Sequence, residues 1–232
     1  MQVKDTHLTN VQVGDVLAWH NRGDFLGNVI SALQPSPGPN HTPGHYTDIV
    51  HVAFVRRVPN PNAEVVEVRP GIFALKHEEN YSLYEDKKTA WHDVVSHQPR
   101  FYSTAGVKLE ATNPCVQENV IDWADPHMLV WRVRDLTPKM VQMTMLFADD
   151  MLGYQYDKAN FLTFGAIRRP NARICSELVA ESVYQGSLSV TKEYGIALTP
   201  DIAGNKDTQK TPNDIGNSGF VYELKFQGAR GN

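Results

Sequence analysis

Apolar residues along the chain change their spacing several times, and each change marks an element. From Val11 the pattern alternates, then becomes wholly apolar just past Gly14 and Asp15, which predicts a turn feeding a strand over Val16–Trp19. Asp24 to Leu33 has the spacing of a short helix. Pro35, Pro37, Gly38, Pro39, Pro43 and Gly44 then forbid regular structure and predict a surface loop. Asp48–Arg57 is rich in β-branched residues, a turn follows at Pro59 to Asn62, and Ala63–Val68 is a second such run. The two runs read as a hairpin ended by Pro70 and Gly71.

From Ala74 to His127 the chain is mixed, polar and aromatic with no sustained period, and residues 74–127 read as an insertion. Regularity returns in the alternating strand Met128–Arg134. Thr137 and Pro138 then supply a helix N-cap and first-turn proline. That helix is expected to run to about Leu152 and stop at Gly153. A second amphipathic helix begins near Ile174, followed by a polar stretch from Asp201 to Asn217 and a last alternating run, Phe220–Phe226. Strands and helices mix without a βαβ rhythm, so the expected class is α+β, one domain over 1–232 carrying the insertion.

Composition narrows the function. The 232 residues are 41% hydrophobic and 21% charged, enough for a sizeable core, and the net charge of −4 argues against a nucleic-acid binder. No run approaches a membrane span, and the first fifteen residues lack the apolar core of a signal peptide, which predicts a cytoplasmic protein. His41 and His45 are separated by Pro43 and Gly44, and His77-Glu78-Glu79 lacks a second histidine, so neither predicts a metal site. No phosphate-binding or dinucleotide loop is present, and no cofactor is expected.

The informative chemistry is at Cys175. Leu178, Val179 and Val183 fall three, four and eight residues after it, so the cysteine continues the apolar stripe of a helix that it begins. Backbone N–H groups and the positive end of the helix dipole gather there, which favours a thiolate. A small buried hydrophobe that happens to be cysteine is the plain alternative. Cys115, the other cysteine, follows Asn113 and Pro114 in a loop-like stretch and is expected to be free.

A thiol nucleophile needs a base and a group to orient it. His51 lies inside a strand between Val50 and Val52, on the same face as Ala53, whose small side chain leaves room for a partner. The expected hairpin would place Glu67, flanked by Val66 and Val68, across from it; Glu64 is the competitor.

Taken in order, Gly14-Asp15-Val16-Leu17, His51-Val52-Ala53-Phe54-Val55, Val65-Val66-Glu67-Val68 with Pro70-Gly71, and Cys175-Ser176-Glu177-Leu178-Val179 resemble the circularly permuted NlpC-related papain-like hydrolases. These are the YiiX-like proteins, relatives of the lecithin:retinol acyltransferase group. The strand Val130–Arg134, the helix ending at Leu152-Gly153-Tyr154-Gln155-Tyr156-Asp157, and Leu198-Thr199-Pro200 fit the same pattern. The long loop before His51 and the insertion depart from it.

The resemblance implies a papain-like antiparallel sheet or half-barrel packed against helices. It implies that Cys175 attacks an acyl carbon, His51 moves the proton, Glu67 orients His51, and Tyr156, Asp157 and Ser176 line the substrate cleft. The expected activity is amidase or peptidase action on a peptide or other acyl substrate, such as a cell-wall peptide. Without a signal peptide such an enzyme needs lysis or packaging in a phage particle to reach that substrate. A lipid-directed acyltransferase or esterase is one alternative. The other is a non-enzymatic part of an assembly, with the insertion making protein contacts.

Overall fold

The computed structural model describes residues 10–33, 46–58, 67–68, 100–101, 106–158, 169–194, 211–218 and 221–224. The expected loop over 35–44, the turn at Pro59 to Asn62 and Leu198-Thr199-Pro200 lie outside them. The class is α+β: a six-stranded antiparallel sheet packed against helices. In chain order its strands are β1 (Val16–His20), β2 (Ile49–Arg57), β5 (Val107–Ala111), β6 (Val116–Val120), β7 (Met128–Val133) and β10 (Val221–Glu223). They lie side by side as β10-β7-β1-β2-β5-β6.

β1 is central, and its apolar run Val16–Trp19 follows from burial on both faces. Val16 and Ala18 face the helices with Val52, Phe54, Leu109 and Trp131, whereas Leu17 and Trp19 pack with Ala53, Val55, Ile121, Trp123 and Val130 on the opposite side. Gly14, at φ 89°, makes the turn into β1. Asp15, 1% exposed, accepts from the Gln12 backbone N–H at 2.8 Å and holds Arg132 of β7 through both oxygens, at 2.8 Å to Nε and 2.9 Å to Nη2. The Gly-Asp turn is thereby tied to the neighbouring strand.

Two corrections concern the middle of the chain. The described end of the expected hairpin partner does not pair with β2: Glu67–Val68 (β3) pairs with Arg100–Phe101 (β4), and β2 is flanked by β1 and β5; residues 63–66 lie outside the described residues. The expected insertion also begins to fold into the core before its predicted end. Residues 107–120 supply β5 and β6, a hairpin across Thr112-Asn113-Pro114. Local alternation in Val107-Lys108-Leu109-Glu110-Ala111 was obscured by its polar surroundings and by a partner strand that buries Gln117 and Glu118.

The helices are α1 (Phe25–Leu33), α2 (Pro138–Asp150), α3 (Cys175–Tyr194) and α4 (Pro212–Asn217). Thr137 caps α2, accepting from Met140 N–H at 3.2 Å, and Gly153 follows its end at φ 79°, as the sequence predicts. α4 sits within the stretch expected to be only polar. Its Thr211–Asp214 capping box and buried Pro212 and Ile215 make it part of the core, and Asn213 Oδ1 accepts from Ile49 N–H at the start of β2.

α2 and α3 cross closely at Gly186. A Cβ there would lie 2.4 Å from the Thr144 backbone nitrogen. Alanine favours a helix by about 1 kcal/mol over glycine, but backbone cannot yield as a flexible side chain does. Gly186→Ala is therefore expected to destabilise the fold by about 1–3 kcal/mol, read as a lower urea midpoint. A raised midpoint would show that the two helices slide apart freely.

Candidate active site

The sequence of α3 places its first residue against the sheet. β8 (Gln155–Tyr156) and β9 (Ala172–Arg173) pair in parallel, with Tyr156 opposite Arg173, and β9 leads through Ile174 into Cys175. Arg173 is held at 2.6 and 3.2 Å by Glu181, two turns along α3. Ile174 donates its N–H to Glu177 at 3.3 Å and its carbonyl accepts from Leu178 N–H at 3.0 Å, so α3 starts at Cys175. Leu178, Val179 and Val183 then bury the stripe predicted for them.

His51 comes to this thiol from β2. Trp19 pairs with His51 but His20 pairs with Ile49, so Val50 is an extra residue in the ladder immediately before the histidine. The His51 side chain is 25% exposed. Its Nε2 lies 2.7 Å from Glu110 Oε2, and Cys175 is near enough for its charge to act on the imidazole. With Nε2 engaged by Glu110, Nδ1 is the nitrogen left to face the thiol.

Glu110 is the acid that sequence reasoning missed. Stepping the register on from Phe54↔Leu109 sets Glu110 opposite Ala53, one same-face position from His51. The room beside Ala53 exists, and β5 fills it. Glu110, 5% exposed, also accepts from Asn119 Nδ2 at 2.7 Å and from Lys108 Nζ at 2.9 Å. Glu67, the expected orienting acid, is on β3, which is not paired with β2.

Electrostatics follow from this geometry. Burial alone pushes the His51 imidazole down, but the charge of Cys175 and a hydrogen bond with it, joined by Glu110, overcome this and raise it from 6.5 to about 9. Burial alone would raise the Glu110 carboxyl; Lys108, then His51, hold it well below the ordinary carboxylate range. At neutral pH the pair is therefore an imidazolium against a carboxylate.

The remaining expected site residues divide. Tyr156, half-buried, is close enough to Cys175 and Glu177 that their charges, after burial itself, push its phenol up. Asp157 is buried and accepts from Arg169 N–H at 3.2 Å. Ser176 is 0% exposed, so it does not line an open cleft. Packing of the first turn of α3 against the core turns it inward. Cys115 and Cys175 are both free thiols, and Cys175 itself is 5% exposed.

No protein-family model matches this chain, and no curated protein matches it. Among the described residues no cluster of His, Cys, Asp or Glu could hold a metal ion, and no helix is long and apolar enough to cross a membrane.

Proposed function

We propose that the chain is a cysteine-dependent acyl hydrolase of the permuted papain-like kind, with Cys175 as nucleophile, His51 as base and Glu110 in the orienting position that the sequence assigned to Glu67. The observation that supports this reading best is the continuous run from the Cys175 thiol through the His51 imidazole to the Glu110 carboxylate. A buried imidazole needs a polar partner in any role, and Glu110 meets that need at 2.7 Å; a thiol set at a helix start within reach of the same ring is what the catalytic reading adds.

In the mechanism Cys175 Sγ attacks an acyl carbon and gives a thioester after the leaving group departs with a proton from His51. Water then attacks the thioester, His51 takes its proton, and the acid is released as Sγ leaves. Backbone N–H groups of the first turn of α3 have no intrahelical acceptor and are the donors that would serve a developing oxyanion. Glu110 holds the imidazole in one orientation and balances its charge. An amide of a peptide is the favoured substrate, with a cell-wall peptide as the specific candidate. Packaging in a phage particle would give access to it, and detection of the chain in purified virions by mass spectrometry tests that route.

The site itself is tested by limiting alkylation at pH 7 with intact-mass and peptide readout. Cys175 is expected to react well before Cys115 in the native protein, and His51→Ala is expected to remove that preference. Equal reaction of the two thiols in the folded native protein would overturn the nucleophile assignment.

A further inference from the structure

We propose that Lys108 is a positioning residue of this site, sharing one oxygen of Glu110 with His51 and so limiting how tightly the acid holds the imidazolium. The inference rests on the acyl-transfer reading of Cys175 and His51. Its geometric basis is that Lys108 Nζ and His51 Nε2 meet the same atom, Glu110 Oε2, at 2.9 and 2.7 Å. The other oxygen, Oε1, is anchored separately by Asn119 Nδ2 at 2.7 Å. Glu110 is thus held in place by a neutral amide whether or not the ammonium is there.

Lys108 is itself fixed. Its side chain is 16% exposed, and its Nζ lies 4.5 Å from the centre of the Trp19 ring, whose plane is tilted against His51 at 5.3 Å between centroids. Trp19 in turn donates its indole N–H to Asp125 at 3.0 Å. Among the described residues, the polar and charged groups gathered about the imidazole are Glu110 and Lys108 from β5, Asn119 from β6 and Cys175 from α3, with Tyr156 and Glu177 beyond the thiol. Lys108 is the cation of that group apart from His51 itself.

The chemistry explains why a cation belongs there. His51 must give its proton to the leaving group, and a proton held too tightly is returned slowly. A carboxylate oxygen already bonded to an ammonium is a weaker acceptor and a weaker counter-charge. Lys108 keeps Glu110 ionised, preserving the orientation of His51, while tempering its pull.

A purely structural lysine predicts the opposite sign from a tempering one. If Lys108 only fixed Glu110, its removal would loosen the acid and let the His51 titration midpoint fall. If it tempers Glu110, removal raises the midpoint. The experiment follows the His51 ring by NMR between about pH 6 and 11 in native protein, Lys108→Met and Lys108→Arg, with Cys175 alkylation measured in parallel. Lys108→Met is expected to titrate about one unit higher than native protein, a tenfold change in proton affinity, with Lys108→Arg close to native. An unchanged or lowered midpoint in the folded methionine variant would overturn the proposal. Lys108→Gln, uncharged but still able to donate a hydrogen bond, carries the same test if the methionine variant does not fold. Absence of His51-dependent Cys175 labelling in the native protein would instead sink the acyl-transfer reading, and the sign of the titration would still report what Lys108 does to His51.

Discussion

Glu110→Gln is expected to lower the His51 titration midpoint from about 9 toward the ordinary 6.5 and to slow Cys175 alkylation at pH 7 by at least about tenfold. Glutamine keeps the shape and a hydrogen bond, but it brings no negative charge, and burial then acts on the imidazolium with Cys175 as its remaining counter-charge. The sign extends to stability. Because the folded-state value for His51 is raised, its contribution is complete below about pH 6.5 and is lost as pH rises through about 9. In Glu110→Gln, with the folded-state value brought toward the unfolded one, that contribution and its loss with rising pH should shrink. Glu67→Gln is the control and should leave both the titration and the labelling near native values. Equal effects of the two substitutions, or an effect of Glu67→Gln alone, would remove Glu110 from the orienting position. A thermal melt of each variant separates loss of the site from loss of the fold.

The second large effect belongs to the tie between β1 and β7. Arg132→Ala is expected to cost about 3 kcal/mol, the lower end of the range for breaking a buried ion pair, because the arginine side chain is still 23% exposed. The cost comes mainly from Asp15, whose carboxylate is left in the core with the Gln12 N–H still donating to it. This is a large share of the 5–15 kcal/mol that holds an ordinary domain together. Asp15→Asn combined with Arg132→Met removes the stranded charge and should recover part of the loss. Denaturant unfolding of the single and double variants measures both. A single variant within about 0.5 kcal/mol of native would show that water replaces the guanidinium without penalty.

Several elements were legible because local chemistry and tertiary environment agree. Thr137-Pro138 and Gly153 bracket α2 in sequence as in space, and the stripe Leu178, Val179, Val183 gave both the existence and the buried face of α3. His51 was recognisable as a polar residue placed on an apolar strand beside a small alanine. The alternation of Val107 to Ala111 was also there to be read, and with Asn113-Pro114 behind it would have marked a hairpin carrying Glu110. It was missed because buried Gln117 and Glu118 make the second strand look solvated. The charge partner of Glu118 is distant in sequence, Arg56 at 3.5 Å, which also meets Asp149 at 2.8 Å. Ser176 illustrates the converse, since its neighbour in sequence faces the site while it faces the core.

Local chemistry suffices to begin a helix at Cys175 and to put His51 on an early strand, since capping preference and hydrophobic period act over a few residues. Tertiary structure alone decided which acid serves the histidine. Strand order sets that choice: β2 lies between β1 and β5, so the side chain that reaches His51 comes from 59 residues away, and a carboxylate 16 residues away on β3 belongs to a different pairing.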